Sequence, residues 1–340
     1  MVINGYPEAY QSAFRPARFT LVAVNAPAGL DVNVLPTTGN EVLGTKRIYG
    51  EGQFTVNVAP YLCAQLAPEP LCGEPMGLVL DERRYVGCRV RVSGVHSPVV
   101  FLTAGTHDAP IGATLSASPA QLTIRPREKD EIAVITDGYS VKPYVTFSHN
   151  GSEYTDEVFL SNYGAGVHTF VIDEAVVAQK FATQTGLAEE QMRAFTVVLR
   201  VTQSDGNYVY LRRNYTVERV PHTGQRLAWI NRYGAVDYYT FPTTETRTLS
   251  GGRGRILSSE GWSAVTTEAE RWTTLVSDYE QAETLEWLAE VLSSPRVWAI
   301  EGSVATEIDV ADGAVSFDPS KPGNMTLRVR PREVAVSRKF

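Results

Sequence analysis

Histidine and cysteine are scarce in this sequence. Five histidines, His96, His107, His149, His168 and His222, are spread over 340 residues, and no two stand at the i,i+4 spacing that would put both on one helix face. HExxH, GxSxG and a complete P-loop are all missing. The nearest approach to a P-loop, GNEVLGTK from Gly39 to Lys46, lacks the Gly-Lys-Ser/Thr order that sets a lysine on phosphates, and reads as chance. Cys63, Cys72 and Cys88 form no CxxC pair and have no downstream histidine at zinc-site spacing. Buried free thiols are the expected state, with one disulfide and an odd thiol as the alternative.

Long apolar runs and a basic excess are missing too. Nothing approaches the roughly 18 consecutive apolar residues that span a bilayer, and the start, MVINGYPEAYQSAFRP, lacks the basic-then-apolar layout of a secretory signal. The expectation is a protein made and kept in a cytoplasm, or one that leaves by a route needing no signal peptide, with no membrane partner. A formal charge of -7 argues against a surface that grips nucleic acid throughout.

The acidic groups do not assemble a reaction centre. Neighbours such as Asp81-Glu82 and Asp156-Glu157 point to opposite faces of a strand and cannot converge on one bond. Asp309, Asp312 and Asp318 lack calcium-loop spacing and read as solvated turns. His107-Asp108 and His96-Ser97 come without a strained nucleophile turn. No catalytic residue, cofactor or metal ligand is assigned.

What the sequence has in plenty is period-two alternation with β-branched and aromatic residues, so strand is the default reading. Strands are expected at 17–25 and 52–62, separated by turns, then at 83–95 and 97–105 about a tight turn near Gly94. Further strands are expected at 121–138, 141–151, 156–162 and 166–173, with Pro126 and the charged run REKDE marking a surface junction. Ala-, Glu- and Gln-rich segments predict helices from Asp173 to Phe181 and from Ala188 to Phe195. Residues 194–220 form a hairpin about an Asp-Gly turn. Ser277-Asp278-Tyr279-Glu280 has capping-box form, Leu285, Leu288 and Leu292 recur at helical spacing, and Pro295 ends that helix. Strands at 296–302, 306–313 and 324–336 close the chain.

The fold class is therefore mainly β: tandem β-sandwich, immunoglobulin-like domains followed by a small α+β C-terminal domain. The boundaries are 1–120 for the N-terminal β domain, 121–222 for the immunoglobulin-like sandwich, and 223–340 for the C-terminal unit with its amphipathic helix.

The aromatics concentrate toward the C-terminal end, most densely in LAWINRYGAVDYYTF, 227–241. Leu227, Trp229 and Asn231 fall on one side of a strand, with Ala228, Ile230 and Arg232 on the other. Past Tyr233-Gly234, Val236, Tyr238 and Thr240 alternate with Asp237, Tyr239 and Phe241. Both faces carry large apolar groups and must be covered, a task that neighbouring subunits perform in an assembly. Trp229, Tyr233, Tyr238, Tyr239 and Trp287 are the expected contact groups, and Asn231 and Asp237 the expected supports of the Gly234 turn. SGGRGR reads as a mobile connection whose Arg253 and Arg255 suit a neighbouring acidic surface or a phosphate. A carbohydrate-binding module using Trp and Tyr platforms is the alternative, with a host glycan as partner, and a glycan-acting enzyme is the third reading.

The order RVSGVHS, LTIRPREKDEIAVIT, LAWINRYGAVDYYTF and AETLEWLAEVLSSPRVWAI resembles tail proteins of phages and prophages of Bacteroidetes bacteria. The likeness covers roughly residues 84 to 340. It rests on an aromatic-Asn-x-x-Gly-x-x-Asp segment, here Trp229, Asn231, Gly234 and Asp237, and on the helix end from Leu288 through Ser293-Ser294-Pro295 to Val297. The resemblance implies a ring-forming structural subunit of a virion tail or baseplate, assembled in the host cytoplasm. Its partners would be other copies of itself and neighbouring tail proteins.

Overall fold

The computed structural model describes residues 2–108, 111–138, 140–149, 152–158, 164–203, 205–259, 261–314, 321–332 and 335–338. The chain is mainly β, as the period-two patterning predicts, and its described strands form four sheets. Residues 159–162 of the strand expected at 156–162, and Asp318, lie outside the described residues.

The first sheet is built on one long strand, Arg18–Pro36, which pairs with Val2–Gly5, Gly44–Asn57 and Tyr85–Val92. Its inward side chains, among them Phe19, Leu21, Val32, Val34, Val56 and Val90, make a core of their own. The Pro- and Gly-rich stretch after residue 25, expected as turns, is mostly strand. Two register shifts, between Ala23 and Ala26 and between Ala26 and Leu30, let the ladder absorb it, with Gly29 at φ +83 inside the second.

The second and third sheets enclose the next core. Lys129–Asp137 pairs with Ala165–Asp173, which on its other edge takes Gly77–Leu80 from the N-terminal segment. In the third sheet Val141–His149 and Ala194–Thr202 are central, with Ser152–Glu157, Tyr208–Val217 and Gln121–Ile124 outside them. The hairpin expected at 194–220 forms as read, with Val197, Leu199 and Val201 buried on one face.

The helix expected from Asp173 runs Glu174–Thr185, because Asp173 caps it by accepting from Ala175 N and Gly186 ends it at φ +73. The helix expected at 188–195 does not form. Only the 3₁₀ turn Glu189–Gln191 survives, because Ala194 already pairs with Thr216 and extended backbone carries Met192 and Phe195 into the core.

The fourth sheet holds the rest of the chain, in the order Val236–Phe241, Gln225–Ile230, Val297–Glu301, Val304–Ala314, Thr326–Pro331, Gly261–Val276 and Thr243–Ser258. Its helix starts at Ala282, five residues beyond Ser277, and the capping box does not form. Ser277 Oγ instead donates to Asp278 O and accepts from Met325 N, while Glu280 accepts from the Tyr239 hydroxyl. The helix breaks once, into Ala282–Leu288 and Glu290–Ser293, and stops before Pro295. Leu285, Trp287, Leu288 and Val291 are buried, in an apolar cluster that runs without interruption from Leu78 to Val329.

REKDE, expected at a surface junction, stays outside only at Arg127; its last two acids turn inward instead. Asp130 and Glu131 are each 2% exposed. Glu131 pairs with the buried guanidinium of Arg84, accepts from Leu71 N at 2.5 Å, and receives the Tyr238 hydroxyl. Arg84 is also held by Asp81 at 2.7 Å. Asp130 accepts from the Tyr215 hydroxyl at 2.9 Å with Arg213 alongside. Glu128 binds Arg226 at 2.9 Å and Thr240 at 2.6 Å. One short run thus joins side chains from the first, middle and last thirds of the sequence.

Removing one member of a buried pair leaves the other charge in a medium that cannot solvate it. Glu131→Ala is therefore expected to destabilise the fold by about 3–5 kcal/mol. The same substitution at exposed Glu153 should stay within about 0.5 kcal/mol. Urea unfolding measures both; a loss below about 1 kcal/mol at Glu131 would remove the pair from its structural role.

Candidate assembly surface

The hairpin Gln225–Ile230 with Val236–Phe241 is covered on both faces, as its composition requires, but by its own chain. On one face Leu227, Trp229, Tyr239 and Phe241 pack with Leu285, Trp287 and Leu288. The rings of Trp229 and Trp287 lie 5.1 Å apart, and Tyr239 meets Trp287 edge-on at 6.1 Å. On the other face Ala228, Ile230, Val236 and Tyr238 pack with Cys72, Trp298 and Ile300. Trp229, Trp287 and Tyr238 are at most 3% exposed and Tyr239 is 9% exposed. These four expected contact groups are core, and in this fold they have no surface to give a neighbour. Tyr233, at the turn, is half-buried beside the His107 ring.

The turn is built against the N-terminal segment. Asn231 accepts from Tyr233 N and Ala235 N at 2.9 and 3.2 Å and donates to Leu115 O at 2.8 Å, so it does support the turn. Asp237 does not. It lies inside, accepting from Ser116 Oγ at 2.5 Å and Trp287 Nε1 at 2.8 Å. Gly234 has φ +83, and a Cβ there would run into the backbone of Ala104 and Gly105. His107 N closes the joint by donating to Arg232 O at 3.0 Å.

Little here can do chemistry. Asp108 is taken by Ser12 N and Arg15, each at 2.9 Å, and His107 shares a hydrogen bond with Thr106, so His107 and Asp108 make no relay. A cleft of about 440 Å³ beside the turn includes His107, Arg232 and Glu290, and there Arg232 and Glu290 neutralise each other at 2.6 Å. Among the described residues no group of three or more His, Cys, Asp and Glu is placed to hold a metal. The three cysteines are free, and burial pushes the Cys88 thiol up to about 12, which keeps it protonated and unreactive.

Arg253 and Arg255 lie elsewhere, and SGGRGR is not a loose connection. It is part of Thr243–Ser258, which pairs with Gly261–Val276 to make a sixteen-by-sixteen-residue arm. Glycine permits the strand; main-chain pairing holds it. With period two, Arg247, Leu249, Arg253, Arg255 and Leu257 share one face, and Trp262 stands directly across from Leu257. Leu249, Leu257 and Trp262 are 70%, 62% and 71% exposed. Alternation through TRTLSGGRGRIL carries this signal in the sequence; the glycine-rich composition obscures it. Among the described residues the outer edge of Thr243–Ser258 has no strand partner, and such an edge is a template for another chain. A groove of about 610 Å³ at the base of the arm is lined by Arg247, Leu249, Arg271 and Val329.

The turn yields a steric prediction. Gly234→Ala must adopt a left-handed backbone and displace the 104–105 segment, whereas Gly206→Ala, at φ +82, meets open space. Gly206→Ala is expected to cost about 1–2 kcal/mol and Gly234→Ala at least about 2 kcal/mol more, read by thermal or urea unfolding. Equal losses would mean that the joint is not close-packed.

Asp237 yields an electrostatic one. Burial holds its carboxyl above the ordinary aspartate value, outweighing the opposing pull of Arg213. The folded chain therefore keeps this proton more firmly than the unfolded one, and the group subtracts stability as pH rises from the ordinary aspartate range. Asp237→Asn removes that slope, so its stability relative to wild type should climb as pH rises above the ordinary aspartate value of about 4. A difference independent of pH would contradict this account.

No protein-family model matches the chain, and no curated protein matches it. Two solved structures that align with it are bacterial adhesins. One is a calcium-stabilised adhesin with which an Antarctic bacterium binds ice, at 13% identity over 77% of this chain and 65% of that chain, TM-score 0.16. The other is a 1.5-MDa bacterial ice-binding adhesin, at 13% identity over 77% of this chain and 86% of that chain, TM-score 0.15. At such TM-scores neither likeness carries an argument.

Proposed function

We propose that the chain is a structural subunit of a phage or phage-like tail or baseplate, joining neighbours into a ring or hub by strand pairing. The observation that carries this reading is the arm: a long edge strand with exposed Leu249 and Leu257 on one face and Trp262 of its paired strand beside them, projecting from a body that buries Trp229, Trp287 and Trp298. Monomeric proteins cover such edges, keep them short or break them with proline, and this strand is long and free of proline. A subunit that must join a neighbour keeps them open.

In this reading residues 1–120 form an N-terminal β domain, 121–222 an immunoglobulin-like sandwich, and 223–340 a small α+β domain whose helix covers one sheet face. The partners are other copies of the chain and adjoining tail or baseplate proteins, assembled in the host cytoplasm and carried in the virion. The contact role expected of Trp229, Tyr238, Tyr239 and Trp287 passes to Leu249, Leu257 and Trp262, while Arg253 and Arg255 keep theirs. A sugar platform built on Trp229 or Trp287 is disfavoured, because both rings are enclosed.

Electron microscopy of the purified protein tests the proposal. Closed rings or regular head-to-tail oligomers are expected, with assembly lost in the triple variant Leu249→Ser, Leu257→Ser, Trp262→Ser. Isolated monomers at the highest soluble concentration would overturn it.

A further inference from the structure

We propose that the arm docks on the acidic surface of residues 277–290 of a second copy of this chain, joining copies head to tail. The inference rests on the assembly reading and names the two surfaces that meet.

The first observation is continuity of a face. At the base of the arm Leu275 belongs to the same core as Leu285, Trp287 and Leu288, so the chain's own helix roofs this side of the sheet. Farther out the same side continues as Arg271 and Thr273 opposite Leu249 and Arg247, and then as Arg253, Arg255, Leu257 and Trp262. The roof stops while the apolar and basic side chains go on. The apolar face of every copy's helix is already buried in its own core, so a second copy meets the arm with the outward face of residues 277–290, where Tyr279, Glu283 and Glu286 are exposed.

The second observation is charge. At the positions that share a face with Leu249 and Leu257 the arm carries Arg247, Arg253, Arg255 and, across from Leu249, Arg271, while Glu268 and Glu270 of its second strand stand across from Gly252 and Ser250, the alternate positions, in a chain whose net charge is -7. Residues 277–290 carry Asp278, Glu280, Glu283, Glu286 and Glu290 with no base. Glu280 and Glu290 are engaged, by Tyr239 and Arg232. Asp278, Glu283 and Glu286 face outward, next to Tyr279 at 79% exposed. Both surfaces are on every copy and they are different surfaces, so the contact is heterologous and repeats around a ring or along a filament. Exposed ion pairs contribute little each; they set register and encounter rate. Burial of Leu249, Leu257 and Trp262 supplies the affinity, and the open strand edge adds main-chain bonds.

Sedimentation velocity of the full chain over a concentration series tests this, with two charge-reversal pairs, Arg253→Glu with Arg255→Glu and Glu283→Arg with Glu286→Arg. All four positions are exposed, so the fold should survive, which circular dichroism checks. Wild type is expected to self-associate, more weakly as salt rises. Each double variant should associate roughly tenfold more weakly or worse, and an equimolar mixture of the two should recover association, because reversed partners then meet. Association that is indifferent to both reversals would overturn the docking and leave the assembly reading standing. A wild type that stays monomeric would overturn both. Arginine-dependent binding of duplex DNA or RNA without self-association would show that the basic face serves phosphate, and would overturn the docking.

Discussion

A carboxylate shut away from water must be neutralised where it sits, and Glu131 meets that demand with groups from three distant stretches of sequence. Arg84 supplies the charge, Leu71 N and the Tyr238 hydroxyl supply hydrogen bonds, and Asp81 holds Arg84 from its other side. Asp130 and Glu128, its neighbours in sequence, do the same through Tyr215 and Arg226. An apolar contact tolerates sliding; a buried ion pair with directional bonds does not. The cluster therefore fixes how the first sheet, the middle sheets and the 225–241 hairpin are placed on one another.

That placement decides what the aromatic residues can do. Once Tyr238 is tied to Glu131 on one face, the pleat puts Trp229, Tyr239 and Phe241 on the other, where Trp287 closes over them. The densest aromatic segment is then a joint within the molecule, packed against Gly105 and Leu115 at its turn. In the assembly we propose, contact with other molecules falls to what the body leaves outside, above all the arm and its open edge.

Much of this was legible in the residues. Alternation gave the strands, Asp173 and Gly186 bracket the middle helix, and the two-faced pattern of LAWINRYGAVDYYTF correctly demanded cover on both sides. What local pattern cannot carry is the partner. Period two places Tyr238 on a face without saying that Glu131, 107 positions away, will meet it. REKDE has the composition of a solvated turn, and only tertiary pairing brings its acids inside. Ser277-Asp278-Tyr279-Glu280 has the letters of a capping box, yet bonds to Met325 and Tyr239 outcompete the cap. SGGRGR misleads in the opposite direction, since glycine permits a loop but a well-paired partner strand holds it straight.

The central claim is a division of labour between a closed aromatic joint and an open arm. Amide hydrogen exchange, followed in dilute and in concentrated protein, tests it most directly. The account predicts that amides of the 225–241 hairpin are equally protected at both concentrations, while those of Thr243–Ser258 and of residues 277–290 gain protection only on concentration. Protection that appears in the 225–241 hairpin instead, with the arm unchanged, would contradict it.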